Sequence, residues 1–120
     1  ALSALSDFIS KNNLFPCTLI LGMASDKLTK NLRDPLNKLC KRSNLIILTS
    51  FNSARSATPE LLKEFLNDSG AIENTQAIKI AKSIEQALEI SLLFPRFPVV
   101  VAGSFYLVGQ VMDLLRINTE

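Results

Sequence analysis

Residues 99–111 read VVVAGSFYLVGQV: an apolar run, a Gly-Ser pair, then a second apolar stretch interrupted by a glycine. Three valines and an alanine in succession suit a buried strand of a parallel sheet. Ser104 can cap a helix, and Phe105 to Leu115 continues as one. The stretch therefore reads as a strand at Val99–Ala102, a corner, and a helix at Phe105–Leu115. The corner leaves a question open. Gly103 permits close approach of either a ligand or another backbone. Ser104 is either a plain cap or a cap whose helix N-terminus also meets an anion.

The same alternation runs through the rest of the chain. Leu2, Leu5, Phe8 and Ile9 recur at helical spacing and predict a helix over 2–11, closed by Asn12 and Asn13. Cys17–Gly22 is a short apolar run after Pro16 and reads as a strand buried on both faces. Asp34-Pro35 reads as an N-cap and first helical position, with Leu36, Leu39 and Cys40 facing inward and Lys41-Arg42 at the C-terminal end. Leu28 and Leu32 are assigned to a separate short helix before it. Leu45–Thr49 is a second strand, and Ser50–Ala57 a polar loop. Thr58-Pro59 opens a helix with Leu61, Leu62, Phe65 and Leu66 as its buried stripe and Gly70 as its stop. Ala71–Thr75 reads as a short strand. Residues 77–93 read as a long helix, with Ala77, Ile80, Ala81, Ile84, Ala87, Leu88 and Leu92 on one face and Pro95 and Pro98 ending it.

The order α-β-α-β-α-β-α-β-α predicts an α/β fold: a Rossmann-like, mostly parallel sheet with helices on both faces. The 120 residues fit a single domain over 1–120. Such domains usually open on a strand, so a first strand is expected upstream of Ala1.

Composition narrows the function. Apolar residues make up 48% and charged residues 20%, enough for a packed core and unlike a disordered chain. A net charge of +2 is too small to argue for nucleic acid. Lys27, Lys30, Arg33, Lys38, Lys41 and Arg42 cluster, but read mainly as a solvated helix face. There is no histidine, which removes the commonest general base and the commonest metal ligand. Cys17 and Cys40 match no metal or redox spacing and read as buried, reduced thiols of a cytoplasmic protein. The apolar run near Val99 falls short of the ~18 residues of a membrane span. No metal-ligand cluster, phosphate-cradling loop or nucleophile elbow is present in the sequence.

Ligands of open α/β sheets bind beyond the carboxyl ends of the strands. Three loops fall there: Gly22–Lys27, Thr49–Arg55 and Gly103–Tyr106. Lys27 and Arg55 are either cations for a phosphate or carboxylate, or plain surface charges. Asp26 either caps the helix holding Leu28 and Leu32 or serves the site. Tyr106 is either a site residue or a core ring with its hydroxyl at the rim.

The stretch AGSFYLVGQV resembles the end of folylpolyglutamate synthase and dihydrofolate synthase, where Gly-Ser-x-Tyr-Leu-Val-Gly follows the last strand. LGMASDK resembles that family's Gly-x-x-x-Asp-Lys segment, and TSFNSARSATPELL its Arg before a Pro-Glu-Leu helix start. The matches keep the family's order and span Leu21 to Val111. Lys27 is followed by Leu28 where the family often has a second Asp, and Arg55 is preceded by Ala54 rather than Pro.

The resemblance implies a C-terminal domain of such a ligase, of the kind shared with the Mur ligases. It implies ATP and Mg2+ as cofactors of the full-length enzyme, held by an upstream ATP-binding domain and not by this domain alone. It implies glutamate and a pteroate or folate as substrates, with no nucleic-acid or membrane partner. Asp26, Lys27, Arg55, Ser104 and Tyr106 are the implied substrate- and nucleotide-binding residues. The family's first strand ends in Asp-Gly-Ala-His-Asn-Pro, a motif absent from this chain. No catalytic residue is therefore expected in 1–120, and the domain alone is expected to be inactive.

Overall fold

Cys17–Gly22 (β1) is a strand in which every residue is buried, as an apolar run at the centre of a parallel sheet should be. The computed structural model describes residues 2–72 and 76–119. Leu2–Lys11 (α1) precedes β1, and Lys30–Lys41 (α2) leads from it to Ser43–Leu48 (β2). Pro59–Ser69 (α3), Ala77–Ile80 (β3), Ile84–Leu92 (α4), Val99–Gly103 (β4) and Phe105–Thr119 (α5) follow. All pairings are parallel, and the strands lie in the order β3-β2-β1-β4.

Strand alternation divides the core into two layers. Leu19, Leu21, Ile46, Leu48 and Ala102 pack with Ile9 of α1, Leu36 and Leu39 of α2, and Leu62 and Leu66 of α3. Ile20, Leu45 and Ile47 face the other way, toward Ala87 of α4, while Leu107 and Val111 of α5 pack with Phe51 and Ile84. This division follows from handedness. The chain steps outward from β1 to β2 to β3, then returns across the sheet to β4. A right-handed crossover in the reversed direction needs its helix on the opposite face. The order therefore reverses between β1 and β4, the switch point at which such sheets bind ligands.

Two readings from the sequence need correction. Asp34 and Pro35 do not begin a helix. Thr29 is the N-cap residue of α2, and Pro35 lies inside the helix. Leu32, Leu36, Leu39 and Cys40 form one apolar stripe against the core, so Leu32 belongs to the same helix as Leu36. Burying that stripe outweighs the intrahelical bond that Pro35 cannot donate to Asn31. Ahead of it, Ser25–Lys27 makes a single 3-10 turn.

The second correction concerns residues 77–93. Ala77–Ile80 is a strand paired to β2, and the helix begins only at Ile84. Ser83 caps it by accepting from the Gln86 N–H at 3.1 Å, while the Gln86 side chain accepts from the Lys82 N–H. This Ser-x-x-Gln spacing is a helix-start signal inside the supposed helix. Of the strand read at Ala71–Thr75, residues 73–75 lie outside the described residues, and Ala71 and Ile72 are irregular.

The α3 reading holds in its caps. Thr58 accepts from the Leu61 N–H at 3.1 Å, Pro59 is the first helical residue, and Gly70 closes the helix at φ 73°. Its stripe is narrower than expected: Leu62 and Leu66 are buried, whereas Leu61 is exposed. Leu92 is likewise exposed, and β4 is not the buried strand that its apolar run suggests: it lies at the sheet edge, with Val99 exposed and Val100 and Val101 half-buried. Cys17 and Cys40 are free and buried, as expected. Among the described residues, no helix is long and apolar enough to cross a membrane.

Two predictions follow from packing. Gly103 has φ 118°, and a Cβ there would lie 1.9 Å from the Gly22 carbonyl oxygen. Gly103→Ala should destabilise the fold by about 2–4 kcal/mol, read as a lowered denaturant midpoint. Burial pushes the Cys40 thiol up to about 12 and raises that of Cys17. Both thiols should resist a disulfide reagent at pH 8 in the native state and react once the chain is denatured.

Candidate functional site

The carboxyl ends of β1 and β4 meet at Gly22 and Gly103. The Ser104 N–H donates to the Gly22 carbonyl at 2.9 Å, so the corner after β4 is fastened to the end of β1. The clash that a Cβ at Gly103 would make shows that this glycine admits another backbone. Ser104 is the cap of α5: its Oγ accepts from the Tyr106 N–H at 3.1 Å, and its carbonyl accepts from the Val108 N–H. With its own N–H engaged, what Ser104 can offer a ligand is its hydroxyl hydrogen.

The loop after β2 is fastened to the same edge. Ala24 and Ser56 form an antiparallel bridge. The Ala57 N–H donates to the Met23 carbonyl, and the Ser25 N–H to the Arg55 carbonyl, each at 2.8 Å. This bridging brings Arg55 over the 3-10 turn, where its Nη2 lies 2.9 Å from Asp26 Oδ2. Asp26 therefore caps no helix; its carboxylate holds Arg55. The hydrogen bond from Arg55, followed by its positive charge, keeps the Asp26 carboxyl below the usual carboxylate range. Both side chains are more than half exposed, so the pair orients Arg55 more than it stabilises the fold.

Between these loops lies a cleft of about 470 Å³. Lys27, Arg55, Ser104 and Tyr106 line it, and Asp26 reaches it through Arg55. The sequence-chosen residues are thus gathered at one edge of the sheet. Tyr106 is no core ring: it is 59% exposed and stacks on Phe51, with centroids 6.2 Å apart and planes 8° from parallel. Phe51 is not among the residues that the sequence singles out for the site, although a lone aromatic in a polar loop is a visible signal. Leu2, Asn31 and Leu32 also line the cleft from α1 and α2. No local pattern marks them, because only the packing of those helices over the sheet edge brings them there.

The site combines two cations and a hydroxyl with apolar walls. That arrangement can bind an anionic group carried on a less polar body. Its lining has no histidine, and the nearby carboxylate of Asp26 is paired to Arg55. Among the described residues, no group of Cys, Asp or Glu side chains could hold a metal ion.

A family model described as dihydrofolate synthetase, C-terminal domain, matches residues 1–116. The chain belongs to this family. The chain also resembles solved structures in fold. One is E. coli FolC in complex with DHPP and ADP, with a TM-score of 0.77 at 22% identity, covering 99% of this chain and 27% of that one. Another is Mycobacterium tuberculosis folylpolyglutamate synthase complexed with ADP and AMPPCP, with a TM-score of 0.77 at 18% identity, covering 94% and 26%. The domain thus spans about a quarter of the length of these structures. Comparison with curated protein sequences gives no match.

The Asp26–Arg55 pair can be tested directly. Followed by NMR, the Asp26 carboxyl should titrate below the ordinary range and move back up in Arg55→Ala. Its folded value is depressed, so its small contribution to stability is present at neutral pH and is lost as pH falls through that value. An Asp26 titration unchanged by Arg55→Ala would mean that the pair does not persist in solution.

Proposed function

We propose that this domain is the C-terminal part of an ATP-dependent ligase that joins glutamate to dihydropteroate or folate. The observation that carries the reading is the cleft at the β1–β4 switch point, where Lys27 and Arg55 meet Ser104 in a member of this family. In this reading, an upstream domain of the same polypeptide would hold ATP and Mg2+, and the pteroate or folate carboxylate would take the γ-phosphoryl group of ATP to give an acyl phosphate and ADP. The glutamate amine attacks the acyl carbon, the amide bond forms, and inorganic phosphate leaves.

The domain contributes binding and orientation. Arg55 uses one nitrogen on Asp26 and keeps further N–H donors for a glutamate carboxylate. Ser104 donates its hydroxyl to the same ligand or to a phosphate. Lys27 supplies a compact charge on the nucleotide side of the cleft. The stacked Phe51 and Tyr106 rings give a flat apolar wall that limits water. Two unpaired thiols accord with a cytoplasmic setting.

In the full-length enzyme, Arg55→Ala should raise the glutamate KM by about 10- to 100-fold, the range of a hydrogen bond to a charged group. Ser104→Ala should raise it, or lower kcat, by about 2- to 10-fold. Steady-state kinetics with dihydropteroate and with folate would read both, and unchanged constants in the two variants would remove the site assignment. The 120-residue chain alone should show no ATP-dependent ligation of glutamate, since the phosphoryl donor binds elsewhere. Turnover of a muramyl precursor in place of a pteroate would move the enzyme to the cell-wall branch of the superfamily.

A further inference from the structure

The loop that carries Arg55 is also fastened to α5. Gln110 of α5 grips one backbone residue of that loop from both sides: the Asn52 N–H donates to Gln110 Oε1 at 3.1 Å, and Gln110 Nε2 donates to the Asn52 carbonyl at 3.4 Å. The contact joins residues 58 apart in sequence, and Asn52 itself is exposed. A primary amide can both donate and accept, so it can hold the two polar groups of one residue at once.

Inside the loop, Asn52 is coupled to Arg55 by short links. The Ser53 N–H donates to the Phe51 carbonyl at 2.8 Å, and the Arg55 N–H to Ser53 Oγ at 3.2 Å. Ser56 Oγ accepts from the Phe51 N–H at 3.1 Å. Phe51 stacks on Tyr106, one turn before Gln110 on the same helix. Helix α5 therefore holds the loop twice, through an aromatic face and through an amide clamp.

We propose that Gln110 is a positioning residue for the anion site: by clamping Asn52 it fixes the loop that presents Arg55, and so sets the affinity of the cleft for its carboxylate ligand. The inference rests on the reading that Arg55 binds glutamate. Gln110 does not line that cleft and touches no proposed ligand. Its effect passes through the backbone of residues 51–55.

The test uses the full-length enzyme with Gln110→Met, which keeps an unbranched side chain of similar length but loses both hydrogen bonds. Glutamate KM should rise by about 3- to 10-fold, the range that one or two neutral hydrogen bonds carry. The constants for ATP and the Tm should stay at their wild-type values, and kcat should change by less than about twofold. Hydrogen exchange of the segment containing the Asn52 amide should speed up. A purely packing role for Gln110 would leave glutamate KM unmoved in Gln110→Met. That result, in an enzyme where Arg55→Ala does raise KM, overturns the positioning role alone. If Arg55→Ala leaves KM unmoved as well, the reading of the cleft falls, and the role of Gln110 falls with it.

Discussion

The contact between Gly22 and Gly103 is the constraint on which the site depends. Two parallel strands end side by side, and the chain leaving the second must turn across the end of the first. With φ 118° and no room for a Cβ, Gly103 allows that turn. The Ser104 N–H then closes on the Gly22 carbonyl. From that junction α5 starts in a fixed direction, which sets Tyr106 against Phe51 and Gln110 against Asn52. A side chain at residue 103 would separate the two strand ends, and the cleft between their loops would lose its floor.

Around this junction the loops are braced mainly by backbone groups. The bridge between Ala24 and Ser56 ties the loop after β1 to the loop after β2 without depending on side-chain identity. The side chains can then be given to function. Asp26 is more than half exposed and contributes little to stability, yet it holds Arg55 over the turn. Lys27 stands next to it on the same turn. Braced backbone thus presents exposed charged side chains at the edge of the cleft.

Two segments of the sequence imitate a local structure that they do not adopt. Asp34-Pro35 imitates a helix start, because proline is favoured at the first helical position. The burial of Leu32 together with Leu36 and Leu39 extends α2 through the proline instead. Residues 77–81 imitate a helix because Ala77, Ile80, Ala81 and Ile84 happen to recur at helical spacing. Ala77–Ile80 is a four-residue edge strand whose conformation is set by its pairing with Leu45–Leu48. A strand that short carries too few residues for its own period to show.

By itself the sequence determined the alternation of strands and helices, the fully buried central strand at Cys17–Gly22, the capped helix at Pro59–Ser69, and the kinship carried by AGSFYLVG. These are properties of local pattern: apolar runs, cap residues and glycines act within a few positions of where they stand. The tertiary structure alone decided that Gly103 makes room for the backbone of Gly22, that Asp26 holds Arg55 rather than capping a helix, and that Gln110 reaches Asn52. Each of these joins groups far apart in the chain, and only the strand order β3-β2-β1-β4 brings them within hydrogen-bond range.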